Sequence, residues 1–180
     1  MKHYLSTLAI AASFVFAGAA SAQTDRDAGK VQKDRIEADY KAGKERCKQQ
    51  KDNAKDICEA EVKGRQDIAK AEMDAQQKPG AASEAKLRTV RAEAAYEVAK
   101  EKCDDLKDNA KNACEKDAKA TMVSAKADAK AAKTTTEARA DARDDKADAQ
   151  YTAARAKCEA MSGNGKDTCM ADAKKRFNKM

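Results

Sequence analysis

The sequence predicts an all-α protein: three tandem antiparallel helical hairpins, coiled-coil-like in their packing, each closed by a disulfide near its tip. Three observations carry this. Charged residues make up 38% of the 180-residue chain, above the roughly 25% of ordinary globular proteins, and the apolar remainder is mostly alanine. Burying alanine removes little apolar surface, at about 25 cal/mol per Å2, so long helices sharing thin seams suit this composition better than a deep core. The stretch CKQQKDNAKDIC (47–58) returns as CDDLKDNAKNAC (103–114) and CEAMSGNGKDTC (158–169). Around each cysteine, small and apolar residues recur at four-three spacing.

The chain opens MKHYLSTLAIAASFVFAGAASAQ. Lys2 supplies a positive start, Tyr4 to Phe16 a short apolar run, and Ala20-Ser21-Ala22 an A-x-A site before Gln23. This pattern predicts a signal peptide over 1–22, cleaved between Ala22 and Gln23, because the run is too short and wrongly flanked for a spanning helix. Nothing after residue 22 is apolar enough to cross a bilayer.

Residues 23–78 form the first expected hairpin, 79–83 a linker, 84–133 the second hairpin and 134–180 the third. Tyr40, Cys47, Asn53, Lys55 and Cys58 match Tyr96, Cys103, Asn109, Lys111 and Cys114, and again Tyr151, Cys158, Asn164, Lys166 and Cys169. Ten of the 19 positions from Tyr40 to Cys58 are identical in the second copy, a true internal repeat. The expected seams run Ile36, Tyr40, Gly43, Cys47, Gln50; Ala92, Tyr96, Ala99, Cys103, Leu106; and Ala147, Tyr151, Ala154, Cys158, Met161. They continue after the second cysteines through Ala118, Met122, Ala125 and through Ala173, Phe177, Met180.

A turn is expected between the cysteines of each pair, centred on Asn53, Asn109 and Asn164, since Asn tolerates the left-handed conformation and Gly163-Asn164-Gly165 breaks helices. Asp56, Asn112 and Asp167 are then placed to cap the next helix, with Glu59 and Glu115 completing a capping-box pattern. Pro79-Gly80 ends a helix. Its counterpart, Thr134-Thr135-Thr136-Glu137, either caps a new helix or is spanned by one long one.

If the chain turns at Asn53-Ala54, Cys47 and Cys58 face each other across a hairpin, as a disulfide requires. Six cysteines pair off, and a signal peptide sends them to an oxidising compartment. The expected bonds are Cys47 with Cys58, Cys103 with Cys114, and Cys158 with Cys169. The competing geometry is a continuous helix: eleven residues at 100° return to within 20° of the same face, where both sulfurs would bridge to another helix or subunit. The glycines of the third copy argue against it.

Catalytic and metal roles find little support. The only histidine, His3, lies in the signal segment, which leaves no Ser-His-Asp or Cys-His pair and no imidazole ligand. Zinc knuckles use C-x2-4-C, and thiol-redox enzymes C-x-x-C. No Gly-rich phosphate loop occurs. The expectation is a non-enzyme with no catalytic residues, no metal site and no cofactor.

The whole-chain charge of +6 falls to +5 once Lys2 is removed. Positive and negative residues are interleaved, as in KADAKAAK and ARADARDDKADAQ, which reads as solvated helix faces laced with i,i+4 pairs. Tyr40, Tyr96 and Tyr151 sit on the seams, so packing against a partner helix suits them better than stacking on nucleic acid or glycan.

These Y-x6-C-x10-C units, with the signal segment and AKKRF near the C-terminus, resemble a group of uncharacterised Ala/Lys-rich exported proteins of Gram-negative bacteria. Such proteins are often labelled cell-envelope biogenesis or TolA-like. The resemblance implies a periplasmic location and a helical architecture rather than a reaction. The TolA likeness rests only on segments such as SAKADAKAAK. The chain is also expected to have neither that family's retained anchor nor its separate C-terminal domain, so energy coupling is not carried over. The leading expectation is a non-enzymatic structural or interaction protein of the envelope, a spacer or scaffold, touching an unidentified envelope protein. The alternative is a binder of acidic envelope polymers through basic helical faces, without specific nucleic-acid recognition. A thiol-disulfide redox protein is a third.

Overall fold

The structure is a computed structural model that describes residues 20–179; the expected signal segment lies outside the described residues up to Ala19, and Ala22 and Gln23 fall at the start of the first helix. The chain is helical almost throughout: α1 (Ala20–Cys47), α2 (Asp52–Gln77), α3 (Ala81–Cys103), α4 (Asp108–Glu159) and α5 (Gly163–Arg176). Alanine, lysine, glutamate and arginine are among the best helix formers, which accounts for this content. Among the described residues, each helix packs against its neighbours in sequence and against no other. α2 therefore lies between α1 and α3, and α3 between α2 and α4, in a single row.

Residue pairs define how neighbours meet. Glu37 on α1 pairs with Lys70 on α2 at 2.9 Å, and Lys44 with Glu59 at 3.5 Å. Between α2 and α3, Asp74 pairs with Lys86 at 2.6 Å, Glu72 with Arg91 at 2.7 Å, and Asn53 Nδ2 donates to the Glu101 carbonyl at 2.8 Å. Glu93 on α3 pairs with Lys126 on α4 at 2.6 Å. Tyr151 on α4 meets Phe177, just beyond α5, with ring centroids 6.0 Å apart, and Lys179 pairs with Asp148.

The core is as thin as the composition requires. Ile36, Val62, Ala71, Met73, Ala75, Leu87, Ala129 and Ala173 are buried, yet the largest side chains fully withdrawn from solvent are Cys47, Cys103 and Cys158. No polar side chain among the described residues is buried. Backbones approach closely where glycine allows: a Cβ on Gly43 would lie 2.7 Å from Val62 Cγ1, and one on Gly64 3.0 Å from Ala94 Cβ.

The turns differ from the expectation in where they fall. α1, α3 and α4 end at or next to their cysteines, and amides three residues on close the last turn: Gln50 to the Cys47 carbonyl, Leu106 to Cys103 and Met161 to Cys158, each at 3.0 Å. One extended residue follows, Lys51, Lys107 or Ser162, and the next residue takes positive φ: Asp52 (49°), Asp108 (52°) and Gly163 (59°). Aspartate tolerates this region nearly as well as asparagine, so the reversal finishes one residue before Asn53, Asn109 and Asn164. Those asparagines, and Asp56, Asn112 and Asp167, are already helical, and no side chain caps α2, α4 or α5. For the same reason the last expected seam residues, Gln50, Leu106 and Met161, stand exposed in the turns.

The breaks between cysteine pairs are unequal. Pro79 has no N–H and fixes φ, so α2 stops, and Ser83 Oγ ties the turn by donating to the carbonyls of Lys78 (2.6 Å) and Gly80 (3.0 Å). The threonine run is spanned instead: α4 continues for 52 residues. Thr134 and Thr136 turn their hydroxyls inward to donate to the Lys130 and Ala132 carbonyls at 3.1 and 2.9 Å. The 133/134 boundary thus falls inside one helix.

Gly43→Ala is expected to destabilise the protein by about 1 kcal/mol, the strain of forcing a methyl against stiff Val62 outweighing the helix-propensity gain. Gly165→Ala, whose added Cβ meets only Met161 Cε at 3.5 Å, is expected to stabilise it by about 0.5–1 kcal/mol. Urea titrations followed by circular dichroism give both signs.

Candidate functional site: the cysteine pairs and an acidic groove

Disulfides join Cys47 to Cys58, Cys103 to Cys114 and Cys158 to Cys169, with Cα separations of 5.5, 5.7 and 5.5 Å. Those distances match ordinary disulfide geometry, and among the described residues no cysteine is free. The two sulfurs of each bond differ in setting. The first cysteine ends its helix and is sealed from solvent, whereas Cys58, Cys114 and Cys169 lie two turns into the following helix and are partly exposed. The early reversal at Asp52, Asp108 and Gly163 creates this asymmetry, because it places most of the eleven-residue interval on the second helix.

The three seam tyrosines divide. Tyr151 packs against Phe177 and carries the Arg155 guanidinium 5.8 Å from its ring centre. Tyr40 and Tyr96 instead edge a groove of about 790 Å3 on one side of the row, reached by α1, α2, α3 and α4. Val90 and Met122 supply part of its floor. Its charged lining comprises Lys44, Lys63 and Lys126 against Asp56, Glu59, Asp67, Glu93, Glu97 and Glu101. The lysines are taken by Glu59 (3.5 Å), Asp67 (2.6 Å) and Glu93 (2.6 Å). Asp56, Glu97 and Glu101 have no ion partner within 4.0 Å among the described residues. The lining therefore carries more carboxylates than lysines despite the basic chain. It was not anticipated from sequence, although Glu93, Glu97 and Glu101 follow one another at i,i+4 spacing, an arrangement that costs a helix stability.

No group of three or more His, Cys, Asp or Glu among the described residues is placed to hold a metal ion. No described helix is long and apolar enough to cross a membrane.

Ion pairs shift several titrations. The Lys70 hydrogen bond holds Glu37 below its ordinary value, and Lys86 does the same for Asp74. Hydrogen bonds to Asp67, Asp104 and Asp148 hold Lys63, Lys111 and Lys179 above theirs.

Reducing the three bonds is expected to lower stability steeply, by about 3 kcal/mol for each loop of this size, measured as the loss of helical signal at fixed urea with and without reductant. For pH, depressed carboxylates contribute stability that is present above their unfolded pKa and lost as pH falls through the folded one. Raised lysines contribute stability present below their unfolded pKa and lost as pH rises through the folded one. Melting temperature is therefore expected to stay level through neutrality and to fall by a few degrees below about pH 4 and above about pH 10.5; a level profile across both limits would show that these pairs contribute nothing. Compared with known proteins, the chain matches no family model, no curated protein and no solved structure.

Proposed function

We propose that the protein is a non-enzymatic spacer or scaffold of the cell envelope, exported to the periplasm and built from three antiparallel helical hairpins with coiled-coil-like seams. The observation that carries this is α4. It holds Cys114 in its second turn and Cys158 at its far end, so one unbroken helix joins two disulfide-closed turns. At 1.5 Å per residue such a helix reaches about 78 Å, a span that a rod uses and a compact enzyme does not need. The opposed directions in which ion-pair partners advance on neighbouring helices support the hairpin reading. The neighbours-only packing supports an extended particle.

Export rests on the segment 1–22 and on the disulfides, which persist in oxidising compartments. A partner in the envelope follows from the same location. The acidic groove turns one side of the row away from anionic polymers, so the spacer reading stands ahead of binding to acidic components.

Two measurements test it. Cell fractionation with N-terminal sequencing is expected to find a chain beginning at Gln23 in the periplasmic fraction; a cytoplasmic chain retaining residues 1–22 would reject export. Small-angle scattering of the oxidised protein is expected to give a maximum dimension of at least about 80 Å, and a near-spherical particle would reject the spacer.

A further inference from the structure

The first half of α4 is the counterpart of α2, yet it lacks the cover that α3 gives the second face of α2. Val62 meets Gly43 of α1, while Gly64 meets Ala94 of α3, with Ile68, Ala71 and Ala75 following at helical spacing on that second face. Shifted by the 56 residues between Cys47 and Cys103, these positions become Ala120, Ser124, Ala127 and Ala131 of α4, and all four are exposed. On the other side of the same contact, Ala94 and Val98 of α3, shifted by the 55 residues between Cys103 and Cys158, become Ala149 and Ala153, likewise exposed. Because α4 is unbroken, both halves lie on one face: the 29 positions from Ala120 to Ala149 close eight turns to within about 20°.

The polar contacts transfer as well as the small ones. Glu72–Arg91 becomes Asp128 and Lys146, with both signs kept. Asp74–Lys86 becomes Lys130 and Asp141, with both signs reversed, so attraction survives. Asn53, which donates to the Glu101 carbonyl, maps to Asn109, and Glu101 maps to Ala156. Asp128, Lys130, Asp141 and Lys146 are exposed, and among the described residues none has an ion partner. The counterparts of two surfaces that pack together in α2 and α3 are thus held apart on a single unbroken helix.

We infer that this face of α4 binds the same face of a second copy, the two helices running antiparallel about a two-fold axis near Thr135. Every pair then occurs twice: Asp128 with the partner's Lys146, Lys130 with the partner's Asp141, and the reverse. It is an exchanged form of the α2–α3 contact, in which a neighbouring molecule takes the place of the chain's own next helix. Folding back within one chain is blocked while Thr134 to Thr136 stay helical. The outer face of α1 is a poorer occupant, because Lys30 stands where Lys86 stands in α3 and would meet Lys130. The inference rests on the hairpin reading above.

Zero-length carbodiimide cross-linking of the oxidised protein, read by mass spectrometry separately for monomer and dimer bands, tests both. Links Lys146–Asp128 and Lys130–Asp141 in a covalent dimer are the expected result. The same links confined to monomer show fold-back and overturn the proposal, as does a dimer joined through other residues. A monomer carrying only Lys86–Asp74 and Lys70–Glu37 links overturns it while leaving the hairpins standing; absence of those links as well is the failure of the hairpin reading. In sedimentation equilibrium, Asp128→Lys and Lys146→Asp should each weaken the dimer about ten-fold, and the two together should restore it. Both residues are exposed, so neither change threatens the fold, and failure of the double variant to restore association counts against the pairing.

Discussion

A seam lined with alanine offers few square ångströms to withdraw from water, and here the shortfall is made good where sulfur joins the end of one helix to the second turn of the next. Cys47, Cys103 and Cys158 are the largest side chains fully buried, so one sulfur of each covalent bond also sits at a well-packed point of the fold. Cross-linking removes conformations from the unfolded chain, a contribution that does not depend on core size. Surface ion pairs around the bonds add orientation more than energy. Sulfur closes the α1–α2, α3–α4 and α4–α5 junctions, whereas α2 and α3 are joined by packing and the Pro79 turn.

Turn geometry follows from the same need. An extended residue followed by one in the left-handed region reverses the chain in few residues, which lets the next helix begin early and brings its second turn beside the preceding cysteine. Aspartate takes that position twice and glycine once. The helical character and the disulfide bonding were legible in the sequence, through helix-forming composition and evenly spaced cysteine pairs. The turn itself was misplaced by a residue or more. Asparagine drew attention as the residue most tolerant of the left-handed region, but the aspartate before it bears the positive φ, and the asparagine serves instead to reach the Glu101 carbonyl across to α3.

Other features lay beyond any reading of one strand of text. Thr134 to Thr136 are compatible with a cap or with a helix interior; backbone amides that proline lacks, and hydroxyls able to bond carbonyls four residues back, decide for the interior. The groove is assembled from residues as distant as Tyr40 and Lys126, so its excess of carboxylate emerges only when helices are laid side by side. The local signal, glutamates repeated on one face of α3, says that charge is concentrated there without saying what it faces.

The neighbours-only packing has a kinetic side. With each helix touching only those adjacent in sequence, contacts close shorter stretches of chain than contacts between distant helices would, a topology that favours fast folding. A segment can complete its contacts once the next helix is available, without waiting for the far end of the molecule. A chain passed through a narrow opening from one end would therefore acquire its structure progressively, each newly emerged helix settling onto the last. The oxidation of each cysteine pair would then record how far the process had gone.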